Sequence, residues 1–182
     1  TRELGNTLEA IAAEKAGIIK PGCPAVLYHQ TRGVMDVVRD VCQKLGSPLT
    51  ITDPAELEVL PGGIGRLDFI YRGERYSTPL LGEHQAKNAA VVLETVSVLR
   101  SEGYNIPDSA VHEGLATVKW PARFEIIAKK PWFVVDGGHN PQCAETVAAN
   151  IRRYFPNMHT VLLTGVLADK DYGALTDILA PV

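Results

Sequence analysis

The sequence predicts an α/β fold whose mixed sheet includes a β-hairpin. Three observations carry that prediction. Helix-period and strand-like segments alternate from the start of the chain; two alternating apolar runs, at 67–71 and 75–78, flank a glycine-containing turn; and 132–135, 141–154 and 160–166 read as strand, helix, strand. The 182 residues allow one large domain or two small ones, at roughly 100–200 residues each. With 46% hydrophobic and 21% charged residues, the chain is neither disordered nor of low complexity. Eighteen basic against twenty-one acidic residues leave a net charge of −3, so no strong basic field gathers nucleic acid.

The first element is a helix from about Thr7 to Ala16. Asn6 is placed to cap it, Glu9 follows three residues later, and Leu8, Ile11, Ala12 and Ala16 form its apolar stripe. Gly17 is expected to stop it in the left-handed conformation. Ala25–Tyr28 reads as a short buried strand, Val34–Leu45 as a helix presenting Val34, Val37, Val38, Val41 and Leu45, and Leu49–Thr52 as a second strand. The hairpin then turns at Arg72-Gly73-Glu74. A helix over 83–101 carries Ala86, Ala89, Ala90, Leu93, Val96 and Leu99 on one side and stops at Gly103, and a shorter helix fits 108–117.

The Lys119-Trp120-Pro121 step breaks the pattern and sets an expected boundary between domains 1–120 and 121–182. Beyond it, Arg123–Ala128 and Trp132–Val135 read as strands. The strand-helix-strand that follows predicts a parallel pair with a right-handed crossover. The chain ends after barely one such unit, so a C-terminal truncation is expected. No apolar stretch reaches the ~20 residues of a spanning helix, and the N-terminus carries no signal-peptide core. Cys23, Cys42 and Cys143 are odd in number and lack Cys-x-x-Cys spacing, which fits a reducing, cytoplasmic setting and three buried, inert thiols.

Several chemistries are absent. There is no phosphate-cradling P-loop, no zincin pair after His112-Glu113, no Gly-x-Ser-x-Gly elbow, and Gly62-Gly63-Ile64-Gly65 lacks dinucleotide spacing. Lys15 follows Leu8 by seven positions and Ile11 by four, which puts it on the apolar stripe. The plain alternative is a lysine that snorkels past the core edge. If desolvated, its pKa drops by up to about 3–5 units, and the neutral amine can add CO2 to form a carbamate suited to a hard cation.

Asp136-Gly137-Gly138-His139-Asn140-Pro141 is the strongest local signal. A strand delivers an aspartate at its carboxyl end, two glycines admit a ligand to the backbone, and Asn140 with Pro141 opens a helix. Helix N-termini attract phosphates, and an aspartate there can accept from ribose hydroxyls; the alternative is a plain strand-to-helix turn. Arg123, beside the expected boundary, is suited to clamping a phosphate, although a surface strand arginine is commoner. Asn88, early in its helix, offers the donor and acceptor that match an adenine edge, against the alternative of a solvated helix residue. His84 and Asp169-Lys170-Asp171 are ambiguous, and the latter fits a helix start.

In order along the chain, Leu4-Gly5-Asn6-Thr7-Leu8-Glu9, Ala13-Glu14-Lys15-Ala16-Gly17-Ile18-Ile19-Lys20-Pro21, Gly82-Glu83-His84-Gln85 through Asn88-Ala89-Ala90, Pro121-Ala122-Arg123-Phe124-Glu125, Asp136-Gly137-Gly138-His139-Asn140-Pro141 and Ala168-Asp169-Lys170-Asp171 resemble the motifs of bifunctional folylpolyglutamate synthase/dihydrofolate synthase, within the Mur ligase group. The resemblance implies the C-terminal part of a Mur-ligase-type ATPase domain, then the start of a Rossmann-like C-terminal glutamate-ligase domain. It implies an ATP-dependent amide ligase, in which a folate or dihydropteroate carboxylate is phosphorylated and the amine of L-glutamate attacks the acyl phosphate. It also implies Mg2+, with K+ as an optional further cation, no nucleic-acid or membrane partner, and a monomer at full length.

By the same resemblance Lys15 is the carbamylated lysine supporting Mg2+. Asn88, Arg123 and Asp136 contact adenine, phosphates and ribose, and His139 faces the reacting carboxylate or the incoming glutamate. Gly138 departs from the alanine common in relatives, a lost methyl expected to leave the chemistry intact. The family's P-loop, pteridine-binding loops and other metal ligands lie upstream of Thr1, so the chain alone is expected to be inactive and to bind ATP poorly. Two alternatives are a ligase acting on a nucleotide-sugar peptide and a non-catalytic module.

Overall fold

The computed structural model describes residues 7–167 and 170–182, which form two compact units: 7–57 with 87–107, and 58–86 with 108–167 and 170–182. In the first unit, α1 (Leu8–Ala16) packs along α2 (Arg32–Lys44), and β1 (Ala25–Leu27) pairs in parallel with β2 (Leu49–Ile51), Ala25 opposite Leu49. The parallel strand-helix-strand therefore lies here, with α2 as its crossover.

Asn6 falls outside the described residues; the cap of α1 is Thr7, whose Oγ1 accepts from the Ala10 N–H at 3.2 Å. Gly17 is right-handed (φ −59°), not left-handed as expected, because the Ile18 and Ile19 amides continue the helix in tighter i→i+3 bonds to Lys15 and Ala16. The buried residues of α1 are Ala12 and Ala16, small enough for α2 to approach closely, and the Glu9 side chain lies over Gly33 of α2. On α2 the fully buried line is Met35, Val38 and Cys42, with the expected valines half-buried beside it. Thr52 lies past the end of β2 and is buried, its Oγ1 accepting from the His29 N–H.

In the second unit, β4 (Leu67–Tyr71) and β5 (Glu74–Thr78) form the expected hairpin, but through the two residues Arg72 and Gly73 alone, both with positive φ (50° and 76°). A short strand that the sequence pattern did not announce, β3 (Leu57–Val59), adds to the edge of β4. Alternation on β4 buries Leu67, Phe69 and Tyr71. Helix α3 (Glu83–Ser101), whose residues 83–86 belong to this unit and 87–101 to the first, stops before Gly103 as expected, and α4 (Asp108–Thr117) rests on β5.

β6 (Glu125–Lys129) and β7 (Trp132–Val135) are antiparallel, since a two-residue connection leaves no length for a crossover. Two helices follow, α5 (Pro141–Tyr154) and α6 (Tyr172–Leu179). The expected strand at Thr160–Val166 is not formed, and with it the parallel pair predicted for this half. Val161 and Leu163 are 84% and 94% exposed. β-branched and leucine residues satisfy a strand's composition, but a strand exists only beside a ladder partner, and among the described residues this run has none. Leu81, Phe124, Tyr154 and Phe155 form one core cluster, and Ala144, Ala148, Leu175 and Leu179 join α5 to α6 in another.

Candidate functional site

Antiparallel pairing brings the entry to β6 and the exit from β7 to one edge. There Asp136 closes the hairpin's open end: Oδ2 accepts from the Phe124 N–H at 2.9 Å and Oδ1 from the Gly138 N–H at 2.6 Å. The Gly137 N–H donates to the Ala122 carbonyl at 2.8 Å, and Glu125 Oε2 accepts from the Ala122 N–H at 2.8 Å. These four bonds hold a bend in which Ala122 and Phe124 both have positive φ, 56° and 47°, a conformation that costs a residue with a Cβ and persists only when its surroundings impose it. Phe124 anchors the bend in the core. Arg123, between them, is exposed, lies before β6 and not on a strand, and among the described residues no hydrogen bond or ion pair engages its guanidinium.

His139 is exposed and its Nδ1 lies 3.2 Å from the Gly137 carbonyl. Asn140 caps α5 as expected, its Oδ1 accepting from the Cys143 N–H at 2.9 Å, with Pro141 at the first helical position. A Cβ on Gly138 would lie 2.8 Å from both Asp136 Oδ1 and Cys143 Cβ. The missing methyl is thus not neutral here: the side chain of Cys143 stands in its place, and alanine would press on the carboxylate. Cys143 is half-buried, Cys23 exposed and Cys42 buried, so only one of the three thiols is enclosed as expected, and burial pushes the Cys42 thiol up.

Arg123, Asp136 and His139 therefore sit together in the second unit. Lys15 and Asn88 belong to the first. Lys15 is exposed, in keeping with the snorkelling alternative and not with a desolvated amine, because the buried face of α1 is set by Ala12 and Ala16. Asn88 is exposed on α3. Asp171 caps α6, its Oδ1 accepting from the Ala174 N–H at 3.0 Å, while Ala168 and Asp169 lie outside the described residues.

These groups fit a nucleotide anion better than a metal. An unengaged guanidinium beside a helix N-terminus suits phosphate oxygens, and a carboxylate with two of about four lone-pair positions occupied can still accept from hydroxyls. No group of three or more His, Cys, Asp or Glu converges among the described residues. The bend itself eluded sequence reasoning, since left-handed alanine and phenylalanine leave no compositional trace. The buried Asn150 on α5 went unnoticed for a related reason, its carboxamide lying on an otherwise apolar helix face.

Residues 122–181 match the Mur ligase, glutamate ligase domain. Over 177 residues the chain is 33% identical to dihydrofolate synthase/folylpolyglutamate synthase of Bacillus subtilis, covering 93% of this chain and 41% of that protein. Over nearly its whole length the chain is similar to part of that protein. A solved folylpolyglutamate synthase of Mycobacterium tuberculosis complexed with ADP superposes with a TM-score of 0.81 at 34% identity, over 98% of this chain and 42% of that one. An FPGS–AMPPCP–folate complex does so with 0.86 at 31% identity, over 100% and 46%. The α/β architecture is the one those family structures share with this chain, which spans less than half the length of each. No helix among the described residues is long and apolar enough to cross a membrane.

Proposed function

We propose that the protein carrying this chain is an ATP-dependent amide ligase that adds L-glutamate to folate, and to dihydropteroate, through an acyl phosphate. The observation that supports this most is the pinned bend of Ala122–Phe124, which holds an unengaged arginine beside Asp136 inside the segment matching a glutamate ligase domain. In this reading Arg123 binds phosphate oxygens, which lowers the repulsion met by the attacking carboxylate. Asp136 accepts from ribose hydroxyls while keeping its backbone bonds, and His139 faces the carboxylate or the incoming amine. Asn88 meets the adenine edge, and Lys15, as a carbamate, lends one oxygen to Mg2+ whose remaining ligands come from outside the described residues. Residues 1–120 and 121–182 serve as parts of the ATPase and glutamate-ligase domains, and the enzyme works in the cytoplasm as a monomer.

The test is ATP turnover by the longer protein with folate and L-glutamate. The expected result is one ADP per new amide bond and none without either substrate; ADP release that ignores both, or turnover only with a nucleotide-sugar peptide, would refute the assignment. The 182-residue chain alone is expected to give no measurable turnover.

A further inference from the structure

We infer that Asn150 is a positioning residue whose carboxamide seats the Gly82-Glu83-His84 turn, at the start of α3, against α5. Gly82 has φ +105°, and a Cβ there would lie 2.6 Å from Asn150 Oδ1, 2.7 Å from Asn150 Nδ2 and 2.6 Å from His84 Cε1. The amide plane thus lies flat on the glycine, and the His84 ring reaches the same point. The next residues of α5 hold the same turn. Tyr154 Oη accepts from the Gly82 N–H at 3.2 Å; Arg153 donates from Nη1 to Glu83 Oε1 at 2.8 Å and from Nη2 to the Leu60 carbonyl at 3.3 Å. The neighbouring ring atom, His84 Nε2, lies 3.0 Å from Gln85 Nε2.

Stability alone does not choose this residue. Asn150 is 4% exposed on a helix face that otherwise buries Ala144, Ala148 and Tyr154, and its Nδ2 has no hydrogen-bond partner among the described residues. An apolar side chain of the same size would bury there without stranding a donor. The carboxamide gives a flat, rigid surface that lies against a Cβ-less backbone, at the point that the His84 ring also reaches. Helix α5 starts at Pro141, directly after the Asp136–His139 loop and its Asn140 cap, and rises about 14 Å to Asn150. Asn150 accordingly sets the place of His84 from the element that also follows the Asp136 site. This rests on the proposed function only where turnover is measured.

The experiment pairs Asn150→Leu, which keeps volume and removes the amide, with Asn150→Asp, which keeps shape and places a carboxylate beside His84. Three readouts are taken: KM for ATP and kcat in the longer protein, the thermal midpoint, and the His84 ring nitrogen resonances against pH in the 182-residue chain. The leucine variant is expected to melt close to the parent yet show displaced His84 resonances and a KM for ATP raised at least about tenfold, with kcat changed far less. The aspartate variant is expected to make His84 titrate at higher pH, an opposite charge favouring the imidazolium. A leucine variant with parental KM and parental ring resonances, or an aspartate variant that leaves the His84 titration unmoved, overturns the inference. If the leucine variant does not fold, the aspartate titration decides. If even the parent fails to couple ATP to amide formation, the proposed function falls while the ring resonances still judge Asn150.

Discussion

The two hairpins of the second unit are stabilised at opposite ends. β4 and β5 run in straight register from Leu67 opposite Thr78 to Tyr71 opposite Glu74, close through a left-handed Arg72–Gly73 turn, and bury every second residue of β4. β6 and β7 slip register between Ile126 and Ala128 and leave Ile127 and Phe133 more than half exposed. What fixes the second hairpin is its open end, where the Asp136 carboxylate accepts from Phe124 on one side and Gly138 on the other. The first hairpin is a scaffold. In the second, the group that organises the backbone is the one best placed to meet a ligand.

The largest expected effect lies in the scaffold. Phe69, fully buried and stacked on Tyr76 at 5.6 Å between ring centroids, should cost about 3–5 kcal/mol when truncated to alanine, measured by urea unfolding. Phe133→Ala in the other hairpin should stay within about 0.5 kcal/mol; a comparable loss there would erase the contrast. Asp136→Asn comes next. It sets an amide N–H₂ against a backbone donor, so about 1–3 kcal/mol of local stability should be lost, read as faster hydrogen exchange at the Phe124 and Gly138 amides with the β4–β5 amides unaffected. Gly73→Ala should cost about 1–2 kcal/mol, because φ 76° brings a Cβ against the following carbonyl.

The smallest effect is in pH dependence. Hydrogen bonds from His112 and then Tyr76 hold the Glu74 carboxyl below its usual range. Burial pushes Asp68 up, but the hydrogen bond from Arg75 and the charge of Arg66 outweigh it, so its carboxyl is also lowered. A carboxyl depressed in the folded state stabilises fully above its unfolded pKa, and that contribution is lost as pH falls through the folded value. The β4–β5 amides should therefore lose protection first as pH drops below about 4. Protection that is flat across that range would mean these contacts do not hold the hairpin.

Much of this was legible in the chain. The Arg72-Gly73 turn between alternating runs specified β4–β5, Asn140-Pro141 marked the start of α5, and Gly103 the stop of α3, because each rests on chemistry within a few residues. Lys15 and Thr160–Val166 were misplaced for the opposite reason. Which face of α1 is buried depends on how closely α2 approaches, and whether 160–166 becomes a strand depends on a neighbour. At the candidate site, Arg123, Asp136 and His139 stood out by residue type, but the left-handed bend that presents Arg123 arises from four hydrogen bonds at the hairpin end, two of them across it.

The most direct test of the central claim, that this bend presents Arg123 to a nucleotide phosphate, is ATP binding by the longer protein with Arg123→Met, followed by calorimetric titration alongside its thermal midpoint. Loss of a guanidinium clamp should weaken ATP at least about tenfold, roughly 1.4 kcal/mol, while an exposed side chain with no hydrogen bond or ion pair among the described residues leaves the midpoint unchanged. Parental ATP affinity in that variant would contradict the account.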